Sequence, residues 1–293
     1  MSIQPTLRHL IVCVLALAGG TLAGCANTPG GAPKDTLARI TQAQSITLGY
    51  REDAVPFAFK GRDGAPAGYS VELCKRVVAS LQSQLKLTKL DIKWVPVTVA
   101  TRLSAVADGS IDLECGSTSR TLGREQQVDF SLATFVDGAS FVSPAAKPVR
   151  KVADLNGRRI GVIAGTTTEA SLKALAAKGI TPQFVLVTTH TDGVAAVRDG
   201  RAEAYATDRL ILIGEVLAGP AGATLTLADE LISVENYGLV MRRDADFRLA
   251  VNRGLAGVYR SGEIRRVFAQ AFGSGSEPSS MLVAMYTMNA LPE

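Results

Sequence analysis

The 293-residue chain is poor in the side chains that most often do chemistry. It has two histidines, His9 and His190, four cysteines, one tryptophan and only 5% aromatic residues. No Gly-Lys pair occurs, which excludes the phosphate-cradling G-x-x-x-x-G-K-[ST] loop. A G-x-S-x-G nucleophile elbow is missing, and so is a strand–GxGxxG–helix dinucleotide signature. Ser83-Gln84-Leu85-Lys86 fits S-x-x-K but has no K-T-G or S-D-N companion, so it reads as the polar face of a helix. Charge of either sign is scarce. With 31 Lys+Arg against 27 Asp+Glu, the net +4 is too small to argue for a nucleic-acid surface. What is plentiful is apolar: 47% hydrophobic residues can build real cores, and the length suggests about two domains.

The N-terminus carries Arg8 and then the uncharged run Leu10–Leu22. Its 13 residues fall short of the roughly 20 that span a bilayer but suit a signal-peptide core. The run ends in Leu22-Ala23-Gly24-Cys25, which resembles the lipobox of bacterial lipoproteins. That resemblance implies a signal peptide over residues 1–24 and lipidation of Cys25, an anchor without a spanning helix. Residues 25–35, rich in Pro, Gly and Asn, read as a tether. His9 and Cys13 would leave with the signal, so the processed chain would keep one imidazole, His190, and two other cysteines, Cys74 and Cys115. Those two are expected to be either a disulfide or a pair of buried thiols. One imidazole and two distant thiols do not make a zinc site, and neither a metal nor a cofactor is expected.

Beyond the tether, strand and helix patterns alternate. Ser45–Tyr50, Asp91–Val95, Ile111–Cys115 and Arg159–Ile163 read as strands. Tyr69 to about Lys86 reads as a helix with the apolar stripe Val71, Cys74, Val77, Val78, Leu81 and Leu85. Thr167–Lys178, Arg209–Leu217, Ala245–Arg260 and Gly262–Phe272 are further helices, and Tyr237–Arg242 is a returning strand. The fold class is α/β with largely parallel sheets.

Polar clusters sit at predicted strand ends, where such sheets place ligand sites. They are Gly49-Tyr50-Arg51-Glu52-Asp53 with Pro56-Phe57 and Gly68-Tyr69-Ser70, then Pro96–Arg102, then Leu113–Ser119 leading into Arg124 and Val128–Ser131. Taken together, from about Ser45 to Phe272, they resemble the amino-acid-binding proteins of bacterial ABC uptake systems, nearest the glutamate/aspartate subgroup. The resemblance implies a two-lobed, type II periplasmic-binding-protein-like fold with two hinge strands. Lobe one would take residues 36–141 and 238–293, and lobe two residues 142–237. The hinge crossings would fall near Phe141–Pro144 and Glu235–Leu239.

Carried onto this sequence, Arg124 matches the arginine that grips the ligand α-carboxylate, with Ser117 and Thr118 at the same end. Thr166 and Thr167 open a helix whose free N–H groups favour an anion. Asp208 matches the carboxylate for the α-ammonium, although it also sits where it would cap the helix Arg209–Leu217. Arg51, Arg102 and His190 match positions that hold a side-chain carboxylate, with Thr98 beside them. Val99 stands where that subgroup often has serine, and Asp53 and Glu52 are placed to draw Arg51 into a local ion pair. Three arginines against Asp208 leave a site of about +2, which favours an acidic amino acid, since a neutral one strands buried charge. The expected protein is a monomer, lipid-anchored in the periplasm, with an ABC permease as partner. Two rivals share the fold: a cyclohexadienyl dehydratase-like enzyme, with Glu114 or Glu169 as acid, and a sensor module.

Overall fold

The computed structural model describes residues 35–218 and 224–293. The expected signal peptide and Cys25 lie outside the described residues.

Two five-stranded sheets organise the chain. The first runs in the order Asp91–Pro96, Ser45–Tyr50, Leu113–Glu114, Glu235–Met241, Asp129–Asp137. Its first three strands are parallel, and Glu235–Met241 is antiparallel to both of its neighbours. The second runs Gln183–Val187, Arg159–Ile163, Ala204–Asp208, Ala139–Pro144, Leu225–Leu227, again three parallel strands and then antiparallel pairing. Each sheet carries its own helices, so the fold is the two-lobed α/β arrangement with two crossings.

The crossings sit slightly ahead of the expected positions. Asp129–Asp137 stays paired with Glu235–Met241 as far as Asp137 opposite Glu235, so both strands belong wholly to the first sheet. The chain changes sheets at Gly138 and returns through residues 228–234. Phe141 therefore belongs to the second sheet and Tyr237 to the first, with the change of sheet marked by Asp137-Gly138.

Packing follows from periodicity. Helix Tyr69–Gln84 buries Val71, Cys74, Val77, Val78 and Leu81 along one face, against helix Ala245–Arg260 and the first sheet. Cys74 and Cys115 form a disulfide that ties this helix to the end of strand Leu113–Glu114. The few aromatics are concentrated behind the crossings. Phe57 meets Phe135 and Tyr237 edge-on, with ring centroids 4.9 and 5.2 Å apart, and Phe272 closes the cluster. Tyr69 joins it and donates its buried hydroxyl to the Thr134 carbonyl at 2.8 Å, which satisfies the polar end.

Helix starts bring the second lobe's polar groups to one edge. Thr166 caps Thr167–Ala174 by accepting from Glu169 N, and Thr189 caps His190–Arg198 by accepting from Asp192 N. Both caps follow the carboxyl ends of parallel strands. The arginine-bearing loops of the first sheet also leave carboxyl ends, so the two edges meet across the cleft.

Candidate functional site

Between the lobes lies a small, nearly filled cavity of about 20 Å³, partly open to solvent. Arg51, Arg102 and Ser117 line it from the first lobe, joined by Val99 and Ser119. Thr166, Thr167, His190 and Asp208 line it from the second, joined by Thr168, Thr207 and Ile211. A larger groove lies outside the first lobe near Leu37 and Leu249, but its cations Arg253 and Arg260 already pair with Glu293. The interlobe cavity is the one that gathers buried charge.

Arg51 leaves the end of strand Ser45–Tyr50 and is buried. Its Nε donates to Asp53 Oδ1 at 2.8 Å and its Nη2 lies 2.6 Å from the same oxygen. The other oxygen of Asp53 accepts from His190 N at 3.3 Å, across the lobes. Arg102 opens helix Arg102–Ala107 and is 4% exposed, with Nε buried and unpartnered. Burial pushes its guanidinium down to about 10, opposed most by Glu114.

Glu114 is fully buried. It accepts from Thr118 Oγ1 at 2.8 Å through Oε2, while Oε1 has no partner. Burial raises its carboxyl, with Arg102 pulling the other way. A Cβ at Gly116 would lie 2.1 Å from Glu114 Oε1, so the glycine gives that carboxylate room to fold under the loop. Thr118 thus serves Glu114 rather than the cavity.

Two more expected positions, besides Thr118, lie off the cavity wall. Thr98 is exposed, and its hydroxyl accepts from Thr101 N at 3.2 Å in a local turn ahead of helix Arg102–Ala107. Arg124 stands at the rim, where Nη1 donates to the Ser119 carbonyl at 2.7 Å and Nη2 reaches the Gly165 carbonyl of the other lobe at 3.3 Å. Ser119 and Thr167 hydroxyls also meet across the lobes at 3.1 Å. The cleft is closed.

Asp208 does not cap the helix that follows it. That helix, Arg209–Ala218, has its Leu210 N satisfied at 3.0 Å by Asp137 Oδ2 of the hinge, which leaves Asp208 for the cavity. Tyr237 donates to Asp208 at 2.6 Å and lies 3.5 Å from Asp137. Burial pushes the Asp208 carboxyl up to about 7, reinforced by Glu235, and the Asp137 carboxyl up to about 6. His190 is 3% exposed, and its Nδ1 lies 2.7 Å from the Tyr205 hydroxyl while Nε2 is buried and unpartnered. Burial, then Arg51, pushes this imidazole down to about 3, so it is neutral at physiological pH.

The expected local ion pair of Arg51 is present with Asp53, whereas Glu52 turns to Lys60 and Tyr50. Glu114, expected only as the acid of a rival enzyme, is part of the site's frame, and Tyr205 was not singled out. Glu114 lies inside the Leu113–Ser119 motif, so its position was readable. The Tyr205–His190 pairing carried no local signal, because it joins a strand to a neighbouring helix. Among the described residues, no cluster of three or more His, Cys, Asp or Glu is arranged to hold a metal ion, and no helix is long and apolar enough to cross a membrane.

The chain is similar to several known proteins. The L-glutamate/L-aspartate-binding protein of Pseudomonas aeruginosa is 32% identical over 84% of this chain and 82% of its own. The glutamate/aspartate import solute-binding protein of Salmonella typhimurium is 29% identical over 94% of this chain and 92% of its own. Among solved structures, an ancestral arginine-binding protein bound to glutamine superposes with a TM-score of 0.71 at 24% identity, over 78% of this chain and 98% of that one. That last likeness is one of fold. Matched over residues 46–274, the chain belongs to the bacterial extracellular solute-binding proteins, family 3.

Proposed function

We propose that this protein captures an acidic amino acid, glutamate or aspartate, between its lobes and presents it to the membrane subunits of an ABC permease. It does so as a monomer outside the cytoplasm, held to a membrane by lipid on Cys25, and it uses no cofactor. The observation that carries the ligand class is an unsatisfied donor, Arg102 Nε, beside a ring nitrogen, His190 Nε2, that has no partner. Arg102 Nε and the ring of His190 with its open Nε2 belong to the same cavity as Arg51, opposite Asp208. A buried unpaired donor is costly, and a side-chain carboxylate would satisfy it.

The other ligand groups have matching sites. An α-ammonium would sit at Asp208, whose raised carboxyl it would draw back to the charged form. An α-carboxylate would meet Ser117, the first N–H groups of helix Thr167–Ala174, and Arg124 once it exchanges the Gly165 carbonyl for the ligand. Counting arginines alone overstated the charge of the site. Asp53 already engages Arg51 and Glu114 offsets Arg102, so selection rests on the direction of open donors more than on net charge. The Pseudomonas and Salmonella relatives support the same ligand class.

An acid-catalysed elimination on this fold is less well supplied. Glu169 is engaged by Lys173 Nζ at 2.7 Å and by Gly165 N at 2.8 Å, which hold its carboxyl below the usual range. Glu114 is raised but lies under the loop, off the cavity wall. Calorimetry with a panel of amino acids tests the assignment. Tight binding of glutamate or aspartate is expected, and tight binding of a neutral amino acid alone would overturn the ligand class. Prephenate turnover would overturn the transport reading.

A further inference from the structure

His190 Nδ1 and the Tyr205 hydroxyl are 2.7 Å apart, a distance that fits a proton on either partner. Three surroundings decide between them. The Tyr205 ring lies in a slot that glycines leave open. A Cβ at Gly193 would come 2.2 Å from Tyr205 Cε2 and 2.4 Å from Cζ, and one at Gly161 would come 3.2 Å from Cδ2. The ring therefore has one seat, with its hydroxyl at His190. Next, burial, with Asp53 and Glu215, holds the phenol well above its usual range against Arg51 and the Thr207 hydroxyl, so Tyr205 keeps a proton to donate, while burial and Arg51 keep the imidazole neutral with a ring nitrogen able to accept it. Finally, the opposite ring nitrogen, Nε2, is buried without a partner in a ring that lines the cavity.

We infer that Tyr205 donates to His190 Nδ1 and so holds the imidazole as the neutral Nε2–H tautomer, which makes His190 a donor toward the ligand. Tyr205 is a positioning residue for specificity, and Gly193 makes its seat. The consequence is chemical: Arg51, Arg102 and His190 all donate into this corner, so the matching ligand end accepts on both oxygens. A carboxylate does so, whereas a carboxamide must turn its NH2 group against a donor. With the tautomer reversed, Nε2 would accept and an amide would fit. The carboxylate preference rests on the proposed ligand class; the tautomer does not.

The test is 15N NMR of the ligand-free full chain labelled at histidine, with His9 identified by a His9→Gln variant. His190 should show an unprotonated, pyridine-type Nδ1 and a protonated, pyrrole-type Nε2 at neutral pH. The reverse pattern, or an imidazolium, would overturn the inference whatever ligand binds. Tyr205→Phe should produce a mixture of tautomers and weaken glutamate roughly tenfold, with glutamine weakened less, so that their ratio narrows. Gly193→Ala should act in the same direction by displacing the ring. An unchanged tautomer and an unchanged ratio in Tyr205→Phe would remove Tyr205 from its role. If the Nε2–H tautomer is found but no acidic amino acid binds, the ligand assignment falls and the tautomer stands.

Discussion

The two walls of the cleft hold their polar groups by different means. The first lobe presents permanent cations, Arg51 and Arg102, set among Asp53 and Glu114 and backed by the Cys74–Cys115 disulfide. The second lobe lines the same cavity without a lysine or arginine: hydroxyls and first-turn N–H groups, a neutral imidazole, and a carboxyl with a raised pKa. One wall is rigid and charged, and the other is adjustable and nearly neutral. On the proposed function, charge selection falls to the first lobe and the energy of closure to the second, since closure is favoured by whatever contacts exist only when both walls touch the ligand.

The sharpest way to break this contrast is to cut the covalent tie. Cys74→Ser with Cys115→Ser opens a loop spanning 41 residues and should cost about 3–4 kcal/mol of stability. Chemical denaturation measures the loss, and hydrogen exchange should locate the loosening in the first lobe while the second sheet stays protected. Equal loosening of both lobes would contradict the division. Arg102→Met should weaken acidic ligands roughly 100-fold in calorimetry while leaving neutral ones little changed. Because that variant strands Glu114, adding Glu114→Gln should restore stability but not affinity.

On the second wall the expected effects are smaller and depend on pH. Asp208 and Asp137 hold their carboxyls at about 7 and about 6, above the unfolded value. Protonated, they favour the folded state; that stability is present below the ordinary carboxylate range and is lost as pH rises through about 6 to 7. The ligand-free protein should thus melt at a lower temperature at about pH 8 than at about pH 5, and Asp208→Asn should flatten the difference. Ligand binding near neutrality should release a proton, read as a buffer-dependent heat. Smallest of all, Ser119→Ala or Thr167→Ala removes one cross-cleft bond between hydroxyls and should cost only a few-fold in affinity.

Much of the scaffold was legible before any coordinates. Ser45–Tyr50, Arg159–Ile163 and Ala245–Arg260 run between the residues their patterns indicate, since each combines one clear period with a distinct boundary such as the Asp244 cap. Helix Ser280–Asn289 was not legible. It buries Leu282 and Tyr286 but leaves Met281, Val283 and Met288 exposed, so its apolar residues trace no single stripe. In the site, residues inside ordered motifs were found, but the direction of their side chains was not. Thr98 shares a motif with Arg102 yet turns to Thr101, and Asp208 was rivalled by a capping role that Asp137, 71 positions earlier in sequence, performs instead. Such competitions are decided by which distant group arrives, and no local pattern records that.

Gly138, where the chain leaves the first sheet, has the Ser233 carbonyl so near that a Cβ would lie 2.6 Å from it. The outgoing and returning segments therefore touch at a point that cannot thicken. Beside it, Arg209 N donates to the Gly138 carbonyl at 2.8 Å and Tyr237 holds Asp208. Treated as a lever, the molecule has its fulcrum there. Displacement in a swing grows with distance from the pivot, so Asp208 stays close to the first lobe throughout, while the Arg124–Gly165 and Ser119–Thr167 contacts part and rejoin. On the proposed function, the ammonium of an incoming ligand would then meet Asp208 already in place, and the far contacts would close over it last, in an order set by leverage.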